Sequence, residues 1–190
     1  MEKNRLEAFS DGVIAIIITI MVLEMKVPHG ASIQDLLPLI PVFFSYILSF
    51  VFVGIYWNNH HHMLHAAINV NGRTLWANMH LLFWLSLVPF VTGWMGENNF
   101  ATIPVVFYGL VMLMAGFAYS LLTHSLIANH GKDSMLSKAI GNDKKGKVSL
   151  LLYALAIPAA FIHAWIAILI YIFVAVMWFV PDKRIERHIH

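Results

Sequence analysis

The sequence predicts an all-α integral membrane protein with six transmembrane helices in each chain. Hydrophobic residues make up 59% of the 190 residues, and charged residues only 12%. A soluble domain carries about 25% charged residues, so this composition favours lipid as the solvent. The charges also lie between long apolar blocks, as expected when each block crosses a bilayer and needs about 20 apolar residues to do so.

Five apolar blocks are visible, and the last one must be divided. The last block, 148–180, runs for 33 residues without Lys, Arg, Asp or Glu, which is too long for one comfortable span. Pro158 and the stretch to His163 offer a place to turn, so two short helices are predicted there. Each would reach only about 22–26 Å and must tolerate some hydrophobic mismatch. The predicted helices lie at about 6–26, 35–65, 74–95, 101–128, 148–162 and 164–180.

The positions of lysine and arginine favour six helices and orient them. With six helices and a cytoplasmic N-terminus, 11 of the 12 Lys and Arg residues fall in inside segments, and only Lys26 falls outside. Cytoplasmic loops carry such an excess of positive charge. Five helices would move Lys183, Arg184 and Arg187 to the outside. We therefore expect both termini in the cytoplasm and a single domain over residues 1–190.

Composition and motifs exclude several classes of function. The net charge of +2 is too small to suggest a nucleic-acid partner, and without cysteine there is no thiolate metal site. The first residues, MEKNRLEAFSD, do not have the pattern of a signal peptide. No nucleophile with a base, phosphate-binding loop or carboxylate pair is apparent. We predict that the protein is not an enzyme and holds no cofactor or metal.

The first helix combines a strongly apolar run with a polar entrance. An uncharged run from Gly12 to Leu23 follows the pair Ser10-Asp11 and contains one hydroxyl, that of Thr19. Polar groups at membrane depth are expensive and usually functional. At 100° per residue, one stripe of this helix holds Ile16, Thr19, Ile20 and Leu23. A helix built mostly of isoleucine shows such a stripe without any function, so the pattern alone leaves both interpretations open.

Asp11 lies on a different face of the first helix, about 140° from Ile16. Ser10 and Asp11 are both good N-cap residues, because their side chains accept from free backbone N–H groups. Arg5, six residues earlier, is a natural partner for the Asp11 carboxylate at the inner membrane edge. Capping and a functional role are compatible here.

Polar residues at the ends of the second and third helices are candidates for the same inner-leaflet group. Asn78, early in the third helix, can hydrogen-bond a neighbouring helix. We expect it to lie with Arg5, Asp11 and one of His60 and His61, because an isolated charge in lipid would cost more. The second helix ends with four histidines, at positions 60, 61, 62 and 65.

These four histidines permit three interpretations. His61 and His65 have the i, i+4 spacing that can chelate a metal ion, but no HExxH pattern follows. Histidine titrates near neutral pH, which allows a pH-sensing role. A polar inner end of a membrane helix explains the cluster without any metal, and we prefer that interpretation.

The motifs together resemble the transmembrane protein 175 family of potassium channels. The first helix has the pattern R-x-x-x-F-S-D-x-x-x-A-I-x-x-T-x-x-x-L, from Arg5 to Leu23. Tyr56-Trp57-Asn58-Asn59-His60-His61, Asn78 and Pro89-Phe90-Val91-Thr92 are also similar to the family. The resemblance covers the first three helices well, whereas the last three match only in length and hydrophobicity. With one six-helix repeat, the chain resembles the bacterial form.

The resemblance implies a function and a role for each of these residues. Bacterial members form homotetramers in the plasma membrane and conduct K⁺, with the first helix lining the pore. By position, Ile16 would form the apolar constriction, with Ile20 and Leu23 on the turns above it. Thr19 would contribute to cation selectivity. An inner structural network would fix the first helix, and it would comprise Arg5, Phe9, Ser10, Asp11, His60, His61 and Asn78.

Two other classes of function stay open from the sequence. The chain could be a proton-permeable channel or proton-coupled transporter that uses Asp11 and the histidines. It could also be a membrane enzyme or metal transporter built on the histidine cluster. The only partners expected for a channel are further copies of the chain, membrane lipid and K⁺, without nucleic acid.

Overall fold

The computed structural model describes residues 3–131, 134, 137 and 143–179. These residues form helices, and the all-α fold class is confirmed. Seven α-helices and one 3₁₀-helix lie within the described ranges. They are α1 (Lys3–Leu23), the 3₁₀-helix (Ile33–Leu39), α2 (Ile40–His65), α3 (Gly72–Ser86), α4 (Val88–Glu97), α5 (Thr102–His130), α6 (Lys144–Ile162) and α7 (Ala164–Phe179).

Five helical segments of the described chain are long and apolar enough to cross a membrane, and α7, with 16 residues, is shorter. α3 and α4 together count as one of the five, Gly72–Glu97. At about 1.5 Å per residue, α7 reaches about 24 Å. α6 continues past Pro158 to Ile162, so the turn lies later than this proline. His163 alone separates α6 from α7, in an extended conformation (φ −161°, ψ 124°).

Prolines explain where the second and third segments depart from single continuous α-helices. Pro38 lies inside the 3₁₀-helix, and Pro41 lies at the first turn of α2, where its missing N–H costs nothing. In the third segment, Leu87 separates α3 from α4, and Pro89 lies in the first turn of α4. A proline in a helix interior removes a backbone hydrogen bond and clashes with the carbonyl of residue i−4. The helix predicted over 74–95 is therefore two helices.

α5 lies at the centre of the chain and packs against α3, α4, α6 and α7. Several of its small side chains, such as Ala115 and Ala118, are fully buried. α2 crosses α4 closely at Gly96, where a Cβ atom would overlap with Ser45 Oγ and the backbone of Val42. Buried hydroxyls join α2 to α4 and α5, since Ser49 Oγ lies 2.7 Å from Thr92 Oγ1 and 3.1 Å from Tyr108 Oη.

The basic loop between α5 and α6, and the C-terminal residues 180–190, lie largely outside the described residues. Five of the eleven cations expected inside fall there: Lys132, Lys138, Lys183, Arg184 and Arg187.

Candidate functional site: the two faces of helix α1

α1 has one face packed into the protein and one exposed face. The packed face contacts α2, α3 and α4. Its buried residues recur at helical spacing: Leu6, Ser10, Ile14, Ile17 and Met21. The opposite face is exposed along its length, although the helix is one of the candidate membrane spans.

The residues predicted to form the constriction lie on this exposed face. Ile16 is 58% exposed, Ile20 38% and Leu23 78%. Phe9 lies further towards the N-terminus on the exposed side, at 51%. Gly12 is also exposed. In the single chain this apolar stripe is exposed, and Ile16 and Ile20 also line a pocket with Pro89, Phe90 and Gly93 of α4.

Thr19 lies on the same stripe and uses its hydroxyl proton within the helix. Its Oγ1 donates to the backbone carbonyl of Ile16 at 2.9 Å. This bond satisfies the one proton of the hydroxyl and leaves the oxygen lone pairs available as acceptors. Thr19 is exposed, so those lone pairs lie at the surface of the stripe.

A chain of buried hydrogen bonds joins α1, α2 and α3 near the N-terminal end of α1. His60 Nε2 lies 2.7 Å from Asn78 Oδ1, and Asn78 Nδ2 donates to Ser10 Oγ at 2.9 Å. Ser10 Oγ donates in turn to the carbonyl of Leu6 at 2.8 Å. The three linked side chains are fully buried. The structure thus brings together three of the seven residues expected in the inner network.

The protons available on these side chains fix which group donates in each of these hydrogen bonds. The single hydroxyl proton of Ser10 goes to Leu6, so Ser10 can only accept from the Asn78 amide. Asn78 Oδ1 therefore faces His60, and His60 Nε2 must carry the donated proton. His60 Nδ1 is left without a partner, and it is the only fully buried side-chain N or O atom among the described residues in that condition.

A second pairing of α1 with α2 lies beside this chain and uses two residues absent from the predicted network. Trp57 Nε1 donates to Asp11 Oδ1 at 3.0 Å. One helical turn along, His61 Nδ1 lies 3.2 Å from Glu7 Oε1. The rings of Trp57 and His61 stack with centroids 5.8 Å apart. Glu7/Asp11 and Trp57/His61 each have i, i+4 spacing, so the sequence held a signal for both pairs.

The structure corrects one expected partnership. Within the described residues, Asp11 and Arg5 form no ion pair, and the indole of Trp57 takes the place expected for Arg5. Arg5 and Phe9 lie on the exposed side of α1, outside both sets of contacts. The physical reason is helical geometry: six residues correspond to about 240°, so the two side chains leave the helix in different directions.

The histidines at the end of α2 take separate partners. His60 bonds Asn78 and His61 pairs with Glu7, whereas the backbone carbonyl of His65 accepts from Lys3 Nζ at 3.3 Å. In the part of the chain that the structure describes, no three His, Cys, Asp or Glu side chains are placed to share a metal ion.

At the other end of α1, an ion pair ties the chain to the end of α4. Lys26 Nζ lies 2.8 Å from Glu97 Oε1. The hydrogen bond to Glu97 raises the pKa of Lys26 from its ordinary value. Both side chains are exposed, so solvent screens the pair and it contributes little stability.

Comparison with known proteins assigns this arrangement to a family. A family model described as the endosomal/lysosomal potassium channel TMEM175 matches residues 5–89, the segment that contains α1, α2 and α3. A protein of Chryseobacterium sp. (strain P1-3) named a potassium channel is 52% identical over 187 residues, covering 98% of this chain and 97% of that protein. The chain belongs to the TMEM175 family.

A solved structure of the family has the same fold. The crystal structure of a lysosomal potassium-selective channel TMEM175 homolog from Chamaesiphon minutus matches with a TM-score of 0.80 and 28% identity, over 93% of this chain and 96% of that one. A 73-residue segment is also 37% identical to the chicken endosomal/lysosomal proton channel TMEM175, covering 32% of this chain and 15% of that protein. The chain is therefore a multi-pass membrane protein of a channel family and is not an enzyme.

Proposed function

We propose that the protein is a potassium-selective cation channel in which four copies of the chain surround one pore. The observation that carries the proposal is the exposed apolar stripe of α1, which contains Ile16, Ile20 and Leu23. One helix cannot enclose a pore, so several copies must each contribute α1. The names of the relatives support K⁺ as the permeant ion, and the resemblance to bacterial members supports four copies.

In this proposal the gate is an apolar ring. Four Ile16 side chains form the narrow zone, with Ile20 and Leu23 on the next turns. A narrow hydrophobic constriction excludes water, so the ring must widen before a hydrated ion can cross it. The exposure of Ile16 in a single chain is consistent with a side chain that meets its own copies rather than the body of its subunit.

Thr19 supplies the selectivity in this proposal. Its hydroxyl proton is held by the carbonyl of Ile16, so the oxygen faces the stripe as an acceptor. Four such oxygens would replace part of the water around a partly dehydrated cation, as carbonyl oxygens do in other channels.

The contacts at the inner end hold α1 in the register that this pore requires. The buried chain of Ser10, Asn78 and His60 joins three helices of one subunit. A second attachment joins α1 to α2. Asp11 of α1 bonds Trp57 of α2, and Glu7 of α1 pairs with His61 of α2. Arg5 and Phe9, which lie on the exposed side of α1, complete the network by contact with neighbouring copies.

We also propose the orientation and location of the channel. Both termini lie in the cytoplasm, because the excess of Lys and Arg falls on that side. The protein resides in the plasma membrane with lipid, its own copies and K⁺ as partners.

Purification and reconstitution test the proposal directly. Native mass spectrometry in detergent should give the mass of four chains, and liposomes that contain the protein should show K⁺ flux with a smaller Na⁺ flux. A monomer, or liposomes as tight to K⁺ as empty ones, would remove the proposed function.

A proton-permeable channel is the second candidate, and one observation favours it: the relative from chicken is named a proton channel. Asp11 and the histidines near it would then serve as proton carriers. Opposed H⁺ and K⁺ gradients across the liposome membrane separate the two candidates, because the reversal potential follows the ion that carries the current.

A further inference from the structure

A cavity of about 130 Å³ lies between α2, α5, α6 and α7, behind α2 as seen from α1. Its walls are mostly apolar and aromatic, with Phe52 from α2, Tyr119 from α5 and Leu150 from α6. Its volume is close to the roughly 150 Å³ of an apolar protein cavity that takes up benzene. The cavity is separate from the exposed stripe of α1, and no α1 residue lines it.

Two tyrosine hydroxyls in the cavity wall lack hydrogen-bond partners among the described residues. They belong to Tyr56 of α2 and Tyr153 of α6, and Tyr153 is only 3% exposed. His60 Nδ1 is the one described side-chain N or O atom that is both sealed and unpartnered. Both hydroxyl oxygens must therefore touch open space, and the space beside them is the cavity. A phenol O–H that faces this space needs an acceptor there, which either water or a bound molecule supplies.

The other polar groups in the wall already have partners. Ser149 Oγ accepts from Trp178 Nε1 at 2.8 Å and donates to the carbonyl of Lys145 at 2.8 Å. Asp143 Oδ1 accepts from the backbone N–H of Gly146 at 3.0 Å. His124 Nδ1 lies 2.6 Å from the carbonyl of Ser120. The two phenols are thus the donors of the wall that lack a partner among the described residues, and the wall also includes the charged Asp143 and Lys147.

We propose that this cavity is a binding site for a compact, mostly apolar molecule that presents one uncharged acceptor oxygen to Tyr56 and Tyr153. A ring of benzene size fits the volume, and a ketone or ether oxygen satisfies the two phenol donors. The apolar body of the molecule gains by leaving water for the aromatic wall. A membrane protein meets such molecules in the lipid around it.

The position of the site connects it to α1. The cavity takes Phe52, Ile55, Tyr56 and Asn59 from one face of α2. The other face of the same turns carries Trp57 and His60, which make the contacts towards α1 and α3. A bound molecule that shifts these turns of α2 will move the attachment of α1, so we infer that occupancy changes ion flux.

A pair of probes of equal size tests the site. Cyclohexanone and methylcyclohexane have the same number of non-hydrogen atoms, but only the ketone has an acceptor. Binding is measured by saturation-transfer NMR on the full chain in nanodiscs, with the signal of empty nanodiscs subtracted. We expect the ketone to bind about 25-fold tighter than the hydrocarbon, the effect of two ordinary hydrogen bonds at about five-fold each.

Variants place the binding in this cavity. Tyr56→Phe and Tyr153→Phe keep the rings and should each weaken the ketone about five-fold, with little effect on the hydrocarbon. Gly116→Ala should weaken both probes, because the new Cβ would lie 3.5 Å from the Tyr56 hydroxyl and 3.1 Å from Leu150 Cδ2. Tyr46→Phe is the matched control, since Tyr46 lies on α2 outside the cavity wall, and it should leave binding of both probes unchanged.

The results separate the site from its effect. Equal binding of the two probes, or ketone binding that both phenylalanine variants retain, would overturn the proposal and leave water as the occupant. Saturating cyclohexanone should also change the ion flux of wild-type liposomes, but not that of Gly116→Ala liposomes. Tight, tyrosine-dependent binding without any change in flux would overturn the connection through α2.

Discussion

At the scale of single residues, Thr19 is the one hydroxyl on an otherwise apolar stripe. A valine has the same shape but no oxygen, so Thr19→Val removes the acceptor and the bond to Ile16 without changing the volume. We expect the K⁺ preference over Na⁺ to fall while conductance persists. The measurement is the reversal potential under bi-ionic K⁺/Na⁺ conditions, with Thr102→Val, at the start of α5, as the control. An unchanged reversal potential would remove Thr19 from selectivity.

Ile16 is the residue on which the proposed gate depends. Ile16→Asn places an amide in the narrow zone, where it holds water that isoleucine excludes, so the closed pore becomes wet. We expect cation flux into liposomes to rise, with a loss of selectivity. Leu169→Asn, which is 63% exposed on α7, is the matched control and should leave flux unchanged. If Ile16→Asn conducts like wild type while the assembly stays intact, the constriction lies elsewhere.

At the scale of helices, Asn78 is the link between α1, α2 and α3. Asn78→Leu has a similar size but leaves His60 Nε2–H and Ser10 Oγ with one partner fewer in a buried place. Each unsatisfied group costs about 1–3 kcal/mol, so a clear loss of folding free energy is expected. Denaturant unfolding in detergent measures it, with the exposed Asn98→Leu as the control. A stability equal to wild type would mean that the buried hydrogen bonds are dispensable.

Asp11 tests whether α1 is held by an acceptor or by a charge. Asp11→Ala removes the acceptor of the Trp57 indole, whereas Asp11→Asn keeps an oxygen there and loses only the charge. We expect Asp11→Ala to lower the thermal stability of the assembly and Asp11→Asn to restore most of it. Size-exclusion chromatography after graded heating gives the comparison. An asparagine variant as unstable as the alanine variant would show that the charge matters, for example through Arg5 of a neighbouring copy.

At the scale of the whole molecule, the absence of cysteine allows a clean test of assembly. If α1 lines a narrow pore, the position of Ile16 recurs close to the symmetry axis, and Ile16→Cys should form disulfide-linked dimers on oxidation. A disulfide needs Cα atoms within about 7 Å, so only a site near the axis qualifies. Leu169→Cys, on the exposed side of α7, should stay monomeric on a non-reducing gel. Dimers from the α7 position alone would place a different helix at the axis.

Residue patterns predicted part of the inner network but not all of its contacts. The cost of an isolated charge in lipid grouped Asn78 with Arg5, Asp11 and one of His60 and His61 at the inner membrane edge. Spacing could not choose between His60 and His61, since neighbouring residues on a helix point about 100° apart and the rotation of α2 depends on its packing. Glu7 was missed because, near the membrane edge, a glutamate is ordinary.

The sequence by itself determined the solvent, the fold class and the family. Apolar runs of spanning length can satisfy their backbone in lipid only as helices or closed barrels, and their length here favours helices. The motif from Arg5 to Leu23 was specific enough to indicate the family. These properties depend on the length of apolar runs and the spacing of motif residues, both of which can be counted in the sequence.

Only the tertiary structure decided which side chains meet. It divided the third segment at Leu87, paired Asp11 with Trp57 instead of Arg5, and left the stripe of α1 exposed. It also formed a partly open cavity whose wall includes Tyr56 and Tyr153, which are 97 positions apart in the chain. The physical reason is that helices of similar hydrophobicity can pack in many rotations, and only close packing of all their side chains selects one.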